Sequence, residues 1–241
     1  KQMSRDKVKK WEIWNKHQFL IGLSKQQIHQ FQQYLSLLQE WNQKINLTAI
    51  TKENEIIEKH FIDSLTCLEI PVFWLNIRVM DIGTGAGFPG IPLKIIRPDL
   101  ELTLVETVGK KVQFLEKVIQ ELKMENVTVL KERAETLGHQ TEHRESYDIV
   151  FSRALAKLPV ASELCLPFVK PNRVYLVMLG EDVNEQLDSA KFSISELGGK
   201  VQSINKISET RTIVVIEKKK NTLPKYPRKA GIPEKRPLII K

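Results

Sequence analysis

The chain of 241 residues is 41% apolar and 27% charged, a composition typical of a globular protein with a substantial core. No apolar run approaches the roughly 20 residues of a membrane span, and the N-terminal segment lacks the apolar stretch and cleavage site of a secretory signal. Cys67 and Cys165 lack the spacing of metal ligands. We therefore expect buried reduced thiols, no metal site, no membrane contact and a cytoplasmic location.

The formal net charge of +8 comes from one end of the chain. Residues 218–241 hold nine Lys or Arg and one acid, whereas basic and acidic residues balance in the rest. A basic tail on a neutral body indicates a polyanionic partner, with nucleic acid favoured over a membrane surface. The alternative is a solvated, disordered terminus.

Helical patterns fill the first part of the chain. Apolar residues at helical spacing predict a short helix over residues 4–17, a longer one after Ser24, and a third over residues 53–68. Ser24 and Gln27 have the spacing of a capping box for the longer helix. We expect residues 1–70 to form a helical cap in front of an α/β core.

A glycine-rich loop follows at residues 78–90, which read RVMDIGTGAGFPG. A β-prone apolar run leads into Gly83, Gly85 and Gly87, and helical periodicity resumes at Ile91. Bare backbone lets a ligand approach closely. Asp81 stands immediately before the loop, where a carboxylate repels a diphosphate and attracts an ammonium group. The pattern resembles the first motif of Rossmann-like methyltransferases that use S-adenosylmethionine (SAM).

A second acid, Glu106, follows the next apolar run, 23 residues after Gly83. An acid at the end of the second strand of a βαβ unit can accept hydrogen bonds from a ribose diol. Dinucleotide enzymes and methyltransferases both use this arrangement. Glu106 therefore predicts that adenosine binds here but does not distinguish an oxidoreductase from a methyltransferase. The alternative interpretation of the two features is that the glycines form an ordinary turn and that Glu106 is a solvated acid at the end of a strand.

The remaining patterns predict an α/β fold. Strands and helices alternate from residue 71, and the last two strands form an antiparallel pair. We expect a Rossmann-like class I SAM methyltransferase core over residues 71–218 with a seven-stranded, mostly parallel sheet, a closing hairpin and an N-terminal helical extension. Residues 219–241 form the basic, proline-containing tail, which prolines should keep extended. The predicted strands are 79–82, 102–105, 127–130, 147–151, 174–178, 201–207 and 212–216.

Six motifs occur in a characteristic order along the chain. They are NLTAIT (46–51), KHFIDSL (59–65), DIGTGAGFPGIPL (81–93), RAETL (133–137), SRALAKLPV (152–160) and YPRKAGIPEKRPL (226–238). Together they closely resemble the bacterial RsmG family, also called glucose-inhibited division protein B. One position departs from the pattern, since Leu179 stands where many members carry a lysine before a glycine.

The resemblance implies a SAM-dependent methyltransferase that acts on guanine N7 of 16S (small-subunit) ribosomal RNA. The partner is that RNA or the 30S particle, and we expect the protein to be a monomer. The implied cofactor-binding residues are Asp81, Gly83, Gly85, Phe88, Glu106, Thr107, Val108, Ala134, Glu135 and Arg153. In the tail, the expected RNA-binding residues are Lys225, Arg228, Lys229, Lys235 and Arg236.

Guanine N7 has an exposed lone pair and no proton to lose, so methyl transfer to it requires positioning and no general base. Arg153 is the candidate positioning residue, and an arginine paired with an acid at the edge of the core is the alternative. The roles of Asn46, His60 and Asp63 stay open. Two other functions stay open as well: a non-catalytic RNA-binding or ribosome-assembly factor that keeps the fold, and an NAD-linked oxidoreductase.

Overall fold

The computed structural model describes residues 22–180 and 182–239. The helix expected over residues 4–17 lies outside them. A seven-stranded sheet runs in the order β3-β2-β1-β4-β5-β7-β6, with β1 to β5 parallel and β7 antiparallel to both of its neighbours. The strands are β1 Arg78–Ile82, β2 Glu101–Val105, β3 Val127–Leu130, β4 Tyr147–Arg153, β5 Val169–Leu179, β6 Gly199–Ser208 and β7 Arg211–Lys218.

Helices cover both faces of the sheet, as a mostly parallel sheet requires. They are α1 Lys25–Asn42, α2 Glu53–Ile56, α3 Asp63–Leu65, α4 Gly90–Ile96, α5 Gly109–Glu121, α6 Ala134–Leu137, α7 Leu158–Cys165, α8 Val183–Glu196 and α9 Ile232–Lys235. A π-helical segment, Ile57–Ile62, joins α2 to α3, and a 3-10 helix, Thr66–Glu69, follows α3. The expected fold class is confirmed.

The strand order reverses beside β1, which lies between β2 and β4. Parallel register places Ile82 opposite Val105 and Asp81 opposite Phe151. The carboxyl ends of these three strands therefore lie side by side at the point where open α/β sheets bind ligands.

The helical cap packs directly on the glycine loop. The predicted capping box of Ser24 and Gln27 begins α1, and Phe31, Tyr34, Leu35 and Leu38 of this helix are buried. The hydroxyl of Tyr34 donates a hydrogen bond to the backbone oxygen of Ala86 within the loop. The cap is thus part of the wall that supports the loop.

The C-terminal tail differs from the extended segment that its prolines led us to expect. Tyr226 and Pro233 are buried, and residues 232–235 form α9. The guanidinium of Arg144 donates to the backbone oxygens of Gly138, Thr222, Leu223 and Tyr226. These bonds hold the tail against the core because they satisfy carbonyl groups that an extended chain would leave to water.

We expect Tyr34→Phe to lower the free energy of unfolding by about 1–3 kcal/mol, because the buried Ala86 oxygen loses its donor. Urea denaturation of the variant and the parent measures the change. Leu75→Ala is the control, since this side chain is 72% exposed and its loss should change stability by less than about 0.5 kcal/mol. Equal stability of Tyr34→Phe and the parent would contradict this role for the hydroxyl.

Candidate active site

Two buried carboxylates hold the glycine loop in place. Asp81 is fully buried, and its Oδ2 accepts hydrogen bonds from Thr84 Oγ1 at 2.6 Å and from the Gly90 amide at 2.9 Å. A side chain at position 90 would lie within 3.0 Å of the same oxygen, so this contact needs glycine. Burial raises the pKa of Asp81 to about 6.

Asp81 thus lies in a different place from the one its motif suggested. We expected a carboxylate facing the ligand, but the side chain lies beneath the loop and does not line the adjacent cavity. The reason is geometric, since the loop turns back and brings the first amide of α4 onto Asp81. Asp81 Oδ1 has no hydrogen-bond partner among residues 22–180 and 182–239. A direct contact between Asp81 and a cofactor stays a prediction.

Glu106 fastens the loop from the side of β2. Its Oε2 accepts from the Gly85 amide at 3.1 Å, and its Oε1 accepts from the amides of Thr107 and Val108 at 2.8 and 2.9 Å. The side chain is 6% exposed. Each carboxylate oxygen can accept more than one hydrogen bond, so Glu106 keeps capacity for a ligand hydroxyl.

A cavity of about 220 Å³ lies beside Glu106 at the carboxyl edge of the sheet. Of the expected cofactor residues, Gly83, Glu106, Thr107, Ala134 and Glu135 line it. Its other lining residues come from the ends of β1 and β2, from the loop between β3 and α6, from α7 and its preceding loop, and from the tail. The structure therefore brings five of the expected residues to one place and adds Pro233 and Glu234 of the tail, to which the sequence had given no role.

The lining of the cavity has the chemistry of a site for an adenosine-type ligand. Gly85 has open space where a Cβ would stand, and at Gly83 a Cβ would meet Leu155 Cδ1 at 2.4 Å. Bare backbone, one acid at a strand end and the small Ala134 suit a flat base with a ribose diol. The volume is below the roughly 300–1,000 Å³ of ordinary ligand sites. Leu155 lines the cavity and lies against Gly83 of the loop.

Arg153 and Phe88 lie in a second group beside this cavity, which we call the Arg153 cluster and define as Thr48, His60, Asp63, Phe88, Arg153 and Arg211. The guanidinium carbon of Arg153 lies 5.0 Å from the centroid of the Phe88 ring, and the His60 ring stacks on Phe88 at 4.6 Å. Val108, another expected cofactor residue, is 46% exposed and does not line the cavity.

Asp63 is the centre of the cluster. Its carboxylate accepts from Arg153 Nη1 at 2.9 Å and from Arg211 Nε and Nη2 at 2.6 and 3.0 Å. The three residues come from different elements: Asp63 begins α3, Arg153 ends β4 and Arg211 begins β7. The pair with Asp63 is the arrangement that we weighed as an alternative for Arg153, and it exists in the structure.

His60 is held by hydrogen bonds at both ring nitrogens. Arginine can only donate, so the contact of 3.3 Å between Arg153 Nη2 and His60 Nδ1 makes Nδ1 the acceptor. His60 Nε2 then donates to Thr48 Oγ1 at 2.7 Å. Burial, reinforced by the nearby charge of Arg153, lowers the pKa of His60 to about 4.

The sequence analysis missed several members of these groups. Arg211 had no motif of its own, and Leu155, Pro233 and Glu234 gave no sign that they lie beside the glycine loop. His60 and Asp63 lie within or next to the π-helical segment, a distortion that often occurs at functional sites. The motifs NLTAIT and KHFIDSL were the available signal, because they contribute Thr48, His60 and Asp63.

The structure also bears on the expectations about membrane contact, metal binding and the two cysteines. No helix among residues 22–180 and 182–239 has the length and apolarity needed to cross a membrane. Within the same residues, no group of three or more His, Cys, Asp or Glu is placed to hold a metal ion. Cys67 and Cys165 are both buried and free, and burial raises the pKa of the Cys165 thiol to about 12.

Solved structures with similar folds include a methyltransferase. A SAM-dependent methyltransferase from Aquifex aeolicus is similar with a TM-score of 0.52 and 17% identity, over 67% of this chain and 92% of that chain. MtNAS in complex with MTA and tNA is similar with a TM-score of 0.54 and 16% identity, over 76% of this chain and 70% of that chain. At these identities the comparisons establish the fold alone.

Comparison with curated sequences identifies the family. The family described as rRNA small subunit methyltransferase G matches residues 27–214. The protein of that name from Desulforamulus reducens is 48% identical over 90% of this chain and 93% of its own length, and the one from Bacillus subtilis is 46% identical over the same shares. The chain therefore belongs to the rRNA small subunit methyltransferase G family, as its motifs predicted.

Proposed function

We propose that this protein transfers the methyl group of SAM to guanine N7 of small-subunit ribosomal RNA. The observation that carries the proposal is the meeting of the glycine loop, Glu106 and Ala134 around one cavity, which is also lined by Leu155, two residues after Arg153 in the chain. The names of the family and of its curated relatives support ribosomal RNA of the small subunit as the substrate.

The residues around the cavity define how the cofactor is held. Glu106 would accept hydrogen bonds from the ribose, the bare backbone at Gly83 and Gly85 would admit the amino-acid part, and Ala134 with Glu135 would border the adenine. When bound, SAM supplies an electrophilic methyl group on a sulfonium centre. Arg153 lies over the ring of Phe88 in the glycine loop, and we propose that the target base enters beside this pair.

No residue of the Arg153 cluster needs to remove a proton. Guanine N7 attacks through a lone pair, and both nitrogens of His60 are already in hydrogen bonds. A histidine with a pKa of about 4 is neutral near pH 7, but its acceptor nitrogen faces Arg153 and is not available as a base. The geometry therefore favours catalysis by positioning.

We propose that Arg153 orients the target base. Three of its five N–H donors bond to Lys59, His60 and Asp63 in the described part of the chain, which leaves donors for guanine O6 or a phosphate. Methylation at N7 builds positive charge on the purine, and a bare guanidinium would oppose that charge. The carboxylate of Asp63 offsets part of the guanidinium charge, since it is shared between Arg153 and Arg211.

We expect the protein to transfer labelled methyl groups from SAM to small ribosomal subunits that lack the modification, with 7-methylguanine as the product. Arg153→Ala should lower kcat by about 100-fold, because the base loses its orienting group. Arg173→Ala is the matched control, since Arg173 pairs with Asp148 near the opposite end of β4 and should retain full activity.

Equilibrium dialysis of the protein against SAM and against NAD tests the cofactor directly. Retention of NAD without SAM would overturn the proposal in favour of an oxidoreductase. Retention of SAM without methyl incorporation would favour a non-catalytic RNA-binding factor.

The His60 contacts predict a pH dependence of stability. Because folding lowers the pKa of His60 from 6.5 to about 4, the unfolded chain binds more protons in this range, and the contribution to stability is lost as pH falls from 6.5 to 4. Relative to His60→Gln, the parent should lose about 2 kcal/mol of unfolding free energy between pH 7 and pH 5. Asp81, whose pKa is raised to about 6, contributes in the opposite direction but equally in both proteins. Parallel urea-derived pH profiles of the two proteins would contradict the assignment.

The tail supplies charge for RNA binding. Lys229, Lys235 and Arg236 are exposed, and Lys225 is exposed beside Glu196. Arg228 differs, because its guanidinium pairs with the buried Glu163 inside the protein. We assign RNA contact to the four exposed residues, while contact by Arg228 stays a prediction.

Replacement of Lys229, Lys235 and Arg236 by alanine should weaken RNA binding and lower the slope of log K against log salt by roughly 2, at about 0.7–0.9 per lost phosphate contact. Filter binding over a range of salt concentrations measures the slope. The control replaces Lys117, Lys123 and Lys191 by alanine, which removes equal charge far from the tail in sequence. An equal slope in both triple variants would refute a specific role of the tail.

A further inference from the structure

The folded tail contributes directly to the cavity beside Glu106. Pro233 and Glu234 line that cavity together with Gly83, Ala134 and Glu135. Neither tail residue could be placed there from sequence, because more than 90 residues separate them from the other lining residues named here. One side of the candidate cofactor site therefore exists only while the tail is docked.

A buried ion pair anchors the tail at this point. Glu163 of α7 is fully buried, and its Oε1 accepts from the backbone amide and Nε of Arg228, both at 2.8 Å. Arg228 Nη2 donates to Glu163 Oε2 at 2.6 Å. A paired arginine fork with an added backbone bond is a strong, geometrically specific contact. Loss of Arg228 would leave the carboxylate of Glu163 buried without its partner.

A second contact connects the tail to the cavity itself. The amide of Gly231 donates to Glu135 Oε1 at 3.1 Å, and Glu135 lines the cavity. Gly231 has a φ of +79°, a conformation that glycine adopts without strain, and it precedes the short helix that carries Pro233 and Glu234. The turn at Gly231 thus sets where the tail residues stand.

We propose that Glu163 and Arg228 are positioning residues for the cofactor, which hold the tail as a wall of its cavity. The inference rests on the proposed function, because it takes SAM as the ligand of this cavity. A ligand that contacts the docked tail stabilises the docked state, and by linkage the docked tail raises ligand affinity. The same tail carries the exposed Lys229, Lys235 and Arg236. In this proposal one segment therefore forms a wall of the cofactor cavity and also binds RNA.

The test compares SAM affinity in full-length variants by isothermal titration calorimetry. Arg228→Ala should raise the Kd for SAM by at least tenfold. Lys220→Ala is the matched control, because it removes one exposed positive charge near the start of the tail without touching the cavity, and its Kd should equal that of the parent. Equal affinity in Arg228→Ala and Lys220→Ala overturns the inference.

A second variant covers the case in which Arg228→Ala does not fold. Gly231→Ala strains the turn without a steric clash, because nothing lies within 4 Å of the added Cβ. It should also raise the Kd for SAM at least tenfold. Gly22→Ala is the control, since Gly22 also has a positive φ and open space around an added Cβ but does not line the cavity, and it should leave the Kd unchanged. Unchanged affinity in Gly231→Ala overturns the inference.

Hydrogen exchange separates the proposed role from a purely structural one. If the tail had only a structural role, adding SAM would not change the rate of amide exchange within it. Adding SAM to the parent protein should slow amide exchange in residues 228–236 at least tenfold and leave residues 199–208 of the edge strand unaffected. Unchanged exchange in the tail overturns the inference. If the parent binds no SAM at all, the proposed function fails together with this inference, whereas normal binding by every variant removes the inference alone.

Discussion

The site depends on two buried carboxylates that hold a loop of bare backbone. Asp81 bonds the start and end of the glycine loop, and Glu106 bonds its middle from the neighbouring strand. A loop with three glycines at positive φ has high conformational freedom when unfolded, so it needs such contacts to keep one shape. Both acids therefore stabilise the conformation of the loop through hydrogen bonds, and the oxygens of Glu106 can still accept a further hydrogen bond from a ligand.

The Arg153 cluster joins three parts of the chain around Asp63. Arg153 ends a parallel strand, Arg211 begins the closing hairpin, and Asp63 belongs to the helical cap. Because a charge at low dielectric needs its partner, displacement of any of the three parts disturbs the other two. The cap and the hairpin therefore both help to hold Arg153, the residue that we propose orients the target base.

The basic residues of the tail have two different roles in the structure. Its excess of lysine and arginine indicated a polyanionic partner, with nucleic acid favoured, but one of those arginines is used inside the protein to pair with Glu163. Composition cannot distinguish these uses, since the difference is the position of a single buried acid on α7. The remaining exposed charges keep the role in RNA binding that we propose for them.

Local patterns in the sequence determined the family, the seven strands, the capping box of α1 and the glycine loop, because hydrophobic period, glycine spacing and motif order are local properties. Tertiary structure alone decided that Asp81 lies beneath the loop, that Asp63 bridges Arg153 and Arg211, and that Pro233 reaches the cavity. The reason is physical: these contacts join residues far apart in the chain or depend on how a loop turns, and no local spacing encodes which buried acid meets which distant donor.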